Sequence, residues 1–117
     1  MGFLEHSSQG VFNGVTEVTL LAAPSSGNVR VIKAVRIYNA DTVALTITIS
    51  KRVSAGATSG TNYFVLFSGS LQPGETLEIG TVVLEYASAG YNCLVGTSTA
   101  ITTNQAQYNV EYAEIIP

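Results

Sequence analysis

Hydrophobic and polar residues alternate along much of this chain with a period of two. The clearest run is 42–50, TVALTITIS, which sets Val43, Leu45, Ile47 and Ile49 on one side and Thr42, Ala44, Thr46, Thr48 and Ser50 on the other. Successive side chains of an extended strand point to opposite faces, so this spacing predicts a strand buried on one face. Similar runs recur between turn residues. Residues 15–23 form the first and end at PSSGN. Residues 29–39 form the second, with the alternation broken at Ile32 and Lys33, the mark of a bulge or of burial on both faces. The short turn 39–41 suggests that 29–39 and 42–52 make a hairpin.

Beyond a Gly-, Ser- and Ala-rich loop at 53–62 comes YFVLFSG, apolar on both faces, which predicts a strand that is central or covered. LQPGET follows as a turn: Pro73 presets the first turn dihedral and Gly74 accepts the positive φ of a type II turn. Residues 75–86 read as one long strand or two short ones interrupted at Gly80, and 91–96 as a short strand. Residues 106–115 place Tyr108, Val110 and Tyr112 on one face against Gln107, Asn109 and Glu111 on the other. No stretch has helical spacing. Seven or eight strands at these intervals predict an all-β domain, a two-layer antiparallel β-sandwich of Greek-key or jelly-roll type. Residues 1–12 precede any strand pattern and are expected to be an extended N-terminal arm, with the sandwich at 13–117.

Composition sharpens this picture. The 117 residues are a single-domain length, and 46% hydrophobic content supplies an ordinary core. Charged residues make up only 11%, so hydroxyls, amides and small residues must cover the surface. Such groups cost less to desolvate than ions, which suits a surface that packs against other subunits. Five Lys and Arg and a net charge of −3 offer no basic stripe for a phosphate backbone, so no nucleic-acid partner is expected. No apolar run reaches membrane-spanning length and no secretion signal is evident, so no membrane partner is expected, and the single cysteine, Cys93, fits synthesis in a reducing cytoplasm.

Candidate chemistry is sparse. His6 lies in the expected arm, Cys93 sits among apolar neighbours in YNCLV, and Asp41 occupies a turn. A glutamate pair drawn together by distant strands is the one conceivable catalytic arrangement. Cys/His metal spacing is absent, and Gly-rich SAGATSG lacks the lysine of a phosphate loop. The expectation is a chain with no catalytic residues, no metal ligands and no cofactor. Contact residues are expected at Phe3, Leu4, Val11 and Phe12 of the arm, whose apolar side chains have no pattern to bury them at home, and at Thr46 and Thr48 of the threonine face.

Several segments together resemble small structural proteins of tailed bacteriophages. These are RVIKAVRIYNADTVALTITISKR with its YN-D turn, YFVLFSGSLQPGETLEI with its L-PGETL turn, VVLEYASAGYNCLVGTSTA and the closing NVEYAEI, spanning residues 29–115. The resemblance implies a virion component without enzymatic activity. Its implied role is a capsid decoration, or cement, protein that bridges major capsid protein subunits and stabilises the head, acting as a homo-oligomer, dimer or trimer. The alternative is a neck, tail or fibre-associated module contacting another virion protein or a host receptor or glycan, with loops 54–61 and 98–105 as its candidate surface. Either role places the chain in the virion, on the outer capsid surface or the tail apparatus.

Overall fold

The structure, a computed structural model, describes residues 2–24, 27–52, 63–85 and 93–116, with only the backbone of Phe3 and Glu85. These residues form nine strands: β1 (Gly2–Val11), β2 (Val18–Leu21), β3 (Val29–Tyr38), β4 (Leu45–Arg52), β5 (Tyr63–Leu71), β6 (Thr76–Ile79), β7 (Val82–Glu85), β8 (Cys93–Ser98) and β9 (Gln107–Ile116). Among the described residues there is no helix. One sheet runs β1-β9-β3-β6, with β7 also pairing β3, and the other runs β2-β8-β4-β5. All pairings are antiparallel.

One rule generates both sheets. Strands pair from the outside of the chain inward: β1 with β9, β2 with β8, β3 with β6 and β7, and β4 with β5. The chain is thus one long antiparallel hairpin whose successive pairs fall alternately on two packed sheets, the jelly-roll form of the β-sandwich. The core between the sheets holds Phe12, Leu20, Ile32, Val35, Ile37, Leu45, Ile47, Ile49, Leu84, Leu94 and Val110, all essentially inaccessible to solvent.

Three sequence expectations meet the coordinates directly. The break at Ile32 and Lys33 is a bulge: Ile32 pairs Tyr112 and Ala34 pairs Glu111, leaving Lys33 as the extra residue. The interruption at Gly80 is also present. β6 pairs residues 35–38 of β3 and β7 pairs residues 29–32, so both neighbours of β3 change register at the level of its bulge. Within the run 42–50, Leu45, Ile47 and Ile49 are fully buried whereas Val43, before the strand begins, is exposed.

Three others are corrected. β3 and β4 are not a hairpin; they lie in different sheets. Along the connection between the layers, Asn39 Nδ2 donates to Val43 O, Asn39 Oδ1 accepts from the Asp41 amide and Asp41 Oδ1 from the Thr42 amide. β5 is an edge strand, not a central one. Finally, the expected arm is strand β1. Residues 2–11 pair one-to-one with residues 107–116 of β9, from Gly2 opposite Ile116 to Val11 opposite Gln107.

The reason for the missing signal in β1 lies in its partner. Directly opposed residues in an antiparallel pair project to the same face. Ser8 lies opposite the buried Val110, and Gly10 opposite Tyr108, so the inward side of β1 is made of small residues. Tyr108 fills the space: a Cβ on Gly10 would come within 2.7–2.9 Å of its ring and hydroxyl. The hydrophobic bulk that normally betrays a strand sits on β9 instead.

Candidate assembly surface

The two outer faces of the sandwich differ in chemistry. On the β1-β9-β3-β6 sheet, outward residues are laced by ion pairs. Arg36 on β3 donates from Nε to Glu78 on β6 at 2.9 Å, and from its other side to Glu111 on β9. The hydrogen bonds that Arg36 donates to Glu111 and then to Glu78 raise its pKa above its usual value. Lys33, the bulge residue, pairs with Glu5 on β1. These contacts are solvent-exposed and each stabilises the fold only slightly.

The β2-β8-β4-β5 sheet carries a ladder of hydroxyls instead. Thr48 lies between Thr97 of β8 and Ser68 of β5, and Thr46 lies opposite Ser70. The Thr48 and Ser68 hydroxyls are 3.3 Å apart, and the Thr99 hydroxyl accepts from the Thr46 amide at 3.1 Å. Thr46, Ser68 and Ser70 are exposed and Thr48 is half-buried. No charged side chain stands among these four positions. The face ends at β5, whose far side pairs with no other described strand and which exposes Phe64 by 55% and Val65 by 43%.

The YN-D and L-PGETL motifs, quoted above for a family resemblance, prove to be two halves of one clasp. The Asn39 amide donates to Glu75 O at 3.0 Å, and the Gly74 amide to Asn39 O at 2.9 Å. Asn39 Nδ2 donates to Val43 O and to Leu71 O, while Asn39 Oδ1 accepts from the Asp41 amide. Gly74 has φ of 82°, which a side chain would strain. Glu75 Oε1 accepts from the Gln72 amide within the same turn. The Asp41 carboxylate then ties in a third loop, accepting amide hydrogens from Thr102, Thr103, Asn104 and Thr42. The Thr102 amide foremost, followed by those of Asn104, Thr103 and Thr42, lowers the Asp41 pKa to about 2, against the opposing effect of burial.

That clasp bears on the loop surfaces considered for ligand recognition. The amides of residues 102–104 are turned onto Asp41, so the 98–105 loop spends its backbone donors inside the protein. Residues 54–61 lie outside the described residues.

The candidate contact residues separate clearly. Leu4 and Val11 are about half exposed, and Thr46 and Thr48 belong to the hydroxyl face. Phe3 pairs with Ile115 by its backbone, and its side chain is outside the described residues. Phe12 cannot be a contact residue, because its exposure is 0%. Its amide donates to Ala106 O, its ring meets Tyr108 edge-on at 6.0 Å, and it presses on Gly96, where a Cβ would lie 2.7 Å from Cε2. The glycine across the core was the signal for this burial, and it is invisible until β8 is set opposite the end of β1.

The groups that could carry chemistry serve structure. Glu114 accepts from Arg30 Nε at 2.8 Å and from Asn28 Nδ2 at 2.7 Å, and these bonds, Arg30's foremost, lower its pKa. Arg52 pairs with Glu17 at 3.2 Å. His6 lies against Tyr112 with ring centroids 5.5 Å apart. Cys93 is buried and points its thiol at Arg52 O; burial and then the charge of Glu17 raise its pKa, which leaves it protonated and inert. Among the described residues no group of three or more His, Cys, Asp or Glu could hold a metal ion, and no helix is long and apolar enough to cross a membrane.

No protein-family model and no curated protein matches the sequence. Among solved structures, the chain is similar to a protein of Bacillus endospore appendages, described as a novel family of disulfide-linked pili. That match has a TM-score of 0.54 and 12% identity, and covers 97% of this chain and 85% of the other. At this identity the likeness is one of fold.

Proposed function

We propose that the chain is a structural subunit that works by packing into an ordered protein assembly, without enzymatic activity. The observation that carries this reading is the hydroxyl face of Thr46, Thr48, Ser68 and Ser70, bordered by the apolar edge of β5. Burying hydroxyls costs far less than burying ions, and the exposed pairs of Arg36 with Glu78 and Glu111 and of Lys33 with Glu5 lie on the opposite sheet. The β1 pairing moves the expected contact surface away from an N-terminal arm and onto this face.

The resemblance in residues 29–115 supports a tailed-phage virion as the assembly, with the chain as a decoration protein bridging major capsid protein subunits on the head. A neck, tail or fibre position uses the same face against a different neighbour. A second reading, a subunit of a protein filament, is favoured by the similarity to the appendage pilus protein. A filament of this chain would be held without disulfides, because its lone Cys93 is buried with its thiol turned to Arg52 O.

The test is sedimentation of the purified protein with undecorated heads of the phage that encodes it, alongside electron microscopy of the protein alone. Co-sedimentation with heads, and greater resistance of those heads to heat, is the expected outcome. Filaments formed by the protein alone would select the second reading. A protein that binds no virion component and builds no polymer would remove both.

A further inference from the structure

We propose that β5 pairs edge to edge, antiparallel, with β5 of a second copy, joining two four-stranded sheets into one continuous sheet across a two-fold axis. This names the first partner of the assembly surface and rests on the structural-subunit reading. An edge strand presents a row of unpaired backbone donors and acceptors. Proteins ordinarily protect such a row with charges, prolines, bulges or short length. β5 has a single bulge, at Leu66, and none of the other devices: Tyr63–Leu71 is nine residues, YFVLFSGSL, with no charge and no proline. Nine residues extend for about 30 Å.

A two-fold pairing sets a strand against itself, so any charge it carries risks meeting its own kind, and like charges directly opposite are destabilising. The other edges are less suited. β1 carries Glu5 and His6, β6 carries Glu78 and β7 carries Glu85. β2 is uncharged but only four residues long, and its Leu20 carbonyl is taken by Ser8 of β1. Among the described strands, β5 alone is free-edged, long and uncharged, so no charge of its own meets its copy. Lys51 and Arg52 of the neighbouring β4 lie over the Phe64 and Tyr63 rings at 5.8 and 5.4 Å, which favours a register that keeps the two copies of these cations apart. Among the described residues, β5 also holds the one pair of adjacent large hydrophobic residues left exposed, Phe64 and Val65. These two project from opposite faces of the strand, so cover on both faces requires another strand alongside rather than a layer stacked above. The bulge at Leu66, between the Ser50 and Ile49 levels, divides β5 into two regularly paired stretches, 63–65 with the exposed Phe64 and Val65, and 67–71.

The partner is a second copy rather than a foreign peptide because the strand is its own complement in charge. Sedimentation velocity over a concentration series should give twice the 12.3 kDa chain mass for the wild type. Val65→Lys, which places a lysine on the exposed edge, should return the mass to that of the monomer with an unchanged circular dichroism spectrum. Hydrogen exchange on the wild type needs no substitution: amides of 63–71 should become protected as concentration rises, and those of β1 should not. A wild-type protein that stays monomeric at millimolar concentration overturns the pairing, as does a dimer whose β5 amides exchange alike at all concentrations. Such a monomer that still binds heads or builds filaments would leave the structural-subunit reading intact. A β5-paired dimer that binds neither would uphold the pairing and remove that reading.

Discussion

β1 and β5 are both edge strands, ten and nine residues long, each paired along one side and anchored at its C-terminal end. They are anchored by different means. β1 runs into Phe12, a ring driven between the sheets. β5 runs into Leu71, whose carbonyl is held by Asn39 Nδ2 in the clasp that Asp41 completes. They also treat their free sides differently. β1 carries Glu5 and His6 and ties across to β2 through Ser8, whereas β5 is bare of charge and exposes adjacent apolar residues. An edge strand can therefore be well fixed and still be built either to repel a second strand or to accept one. The anchors hold the fold, and the difference in edge chemistry is what the proposed pairing of β5 rests on.

Breaking the β1 anchor should have the largest effect on stability. Phe12→Ala removes a fully buried ring and leaves a cavity over Gly96, at a cost of about 3–5 kcal/mol. Gly96→Ala attacks the same contact from the other side: the new methyl would sit 2.7 Å from Cε2 of a ring with nowhere to go, for about 1–3 kcal/mol. Urea unfolding followed by circular dichroism measures both. The double variant should cost less than the sum, because a smaller residue at position 12 makes room for the methyl. Full additivity would show that the two side chains do not share the space the structure gives them.

The anchor of β5 should fail by acid rather than by truncation. Asp41 has a folded-state pKa of about 2, below its ordinary value of 3.8. A lowered carboxylate pKa stabilises the fold above the unfolded-state value, and that contribution disappears as pH falls through the folded-state value. Between roughly pH 4 and 2 the clasp should therefore weaken progressively. Amides of Thr102, Thr103 and Asn104 should lose hydrogen-exchange protection first, while those around Phe12, which depend on no titrating group, keep theirs. Asp41→Asn should make the protection of these three amides nearly independent of pH over the same window. Loss of protection at Phe12 and at the clasp together would mean that acid acts through some other carboxylate.

The same two strands show what could be read from sequence. Alternation was reliable where each strand supplies its own share of the core, as β4 does with Leu45, Ile47 and Ile49. It failed for β1, because Gly10 and Ser8 leave the volume to Tyr108 and Val110 of β9. For YFVLFSG apolar residues on both faces left two readings, a central strand or a covered one, and the edge position of β5 removes only the first. The hairpin expected at 39–41 failed for a related reason. Asn39 and Asp41 are ordinary turn residues, and only the long-range partners of their side chains, Leu71 and the amides of 102–104, carry the chain between sheets. Of the surface, Thr46 and Thr48 were legible as a wet face. Its continuation through Ser68 and Ser70 depended on the pairing of β4 with β5.

The smallest expected effect separates sealing from anchoring on β1. Ser8 Oγ donates to Leu20 O at 3.1 Å, a single bond joining the edges of the two sheets at a partly buried corner. Ser8→Ala removes the donor and leaves the Leu20 carbonyl, in a residue only 1% exposed, without it, so the cost should be about 1 kcal/mol, the low end for a buried acceptor at a partly buried contact. Its signature should be local: β1 amides exchange faster while those of β5 and of the Asp41 clasp do not change. Association should be untouched, because the opened corner still presents Glu5 and His6 to any approaching strand. If Ser8→Ala instead raises the sedimenting mass above that of the wild type, then the Ser8 contact, and not the charge on β1, is what keeps that edge from pairing. The choice of β5 on grounds of charge would then lose its basis.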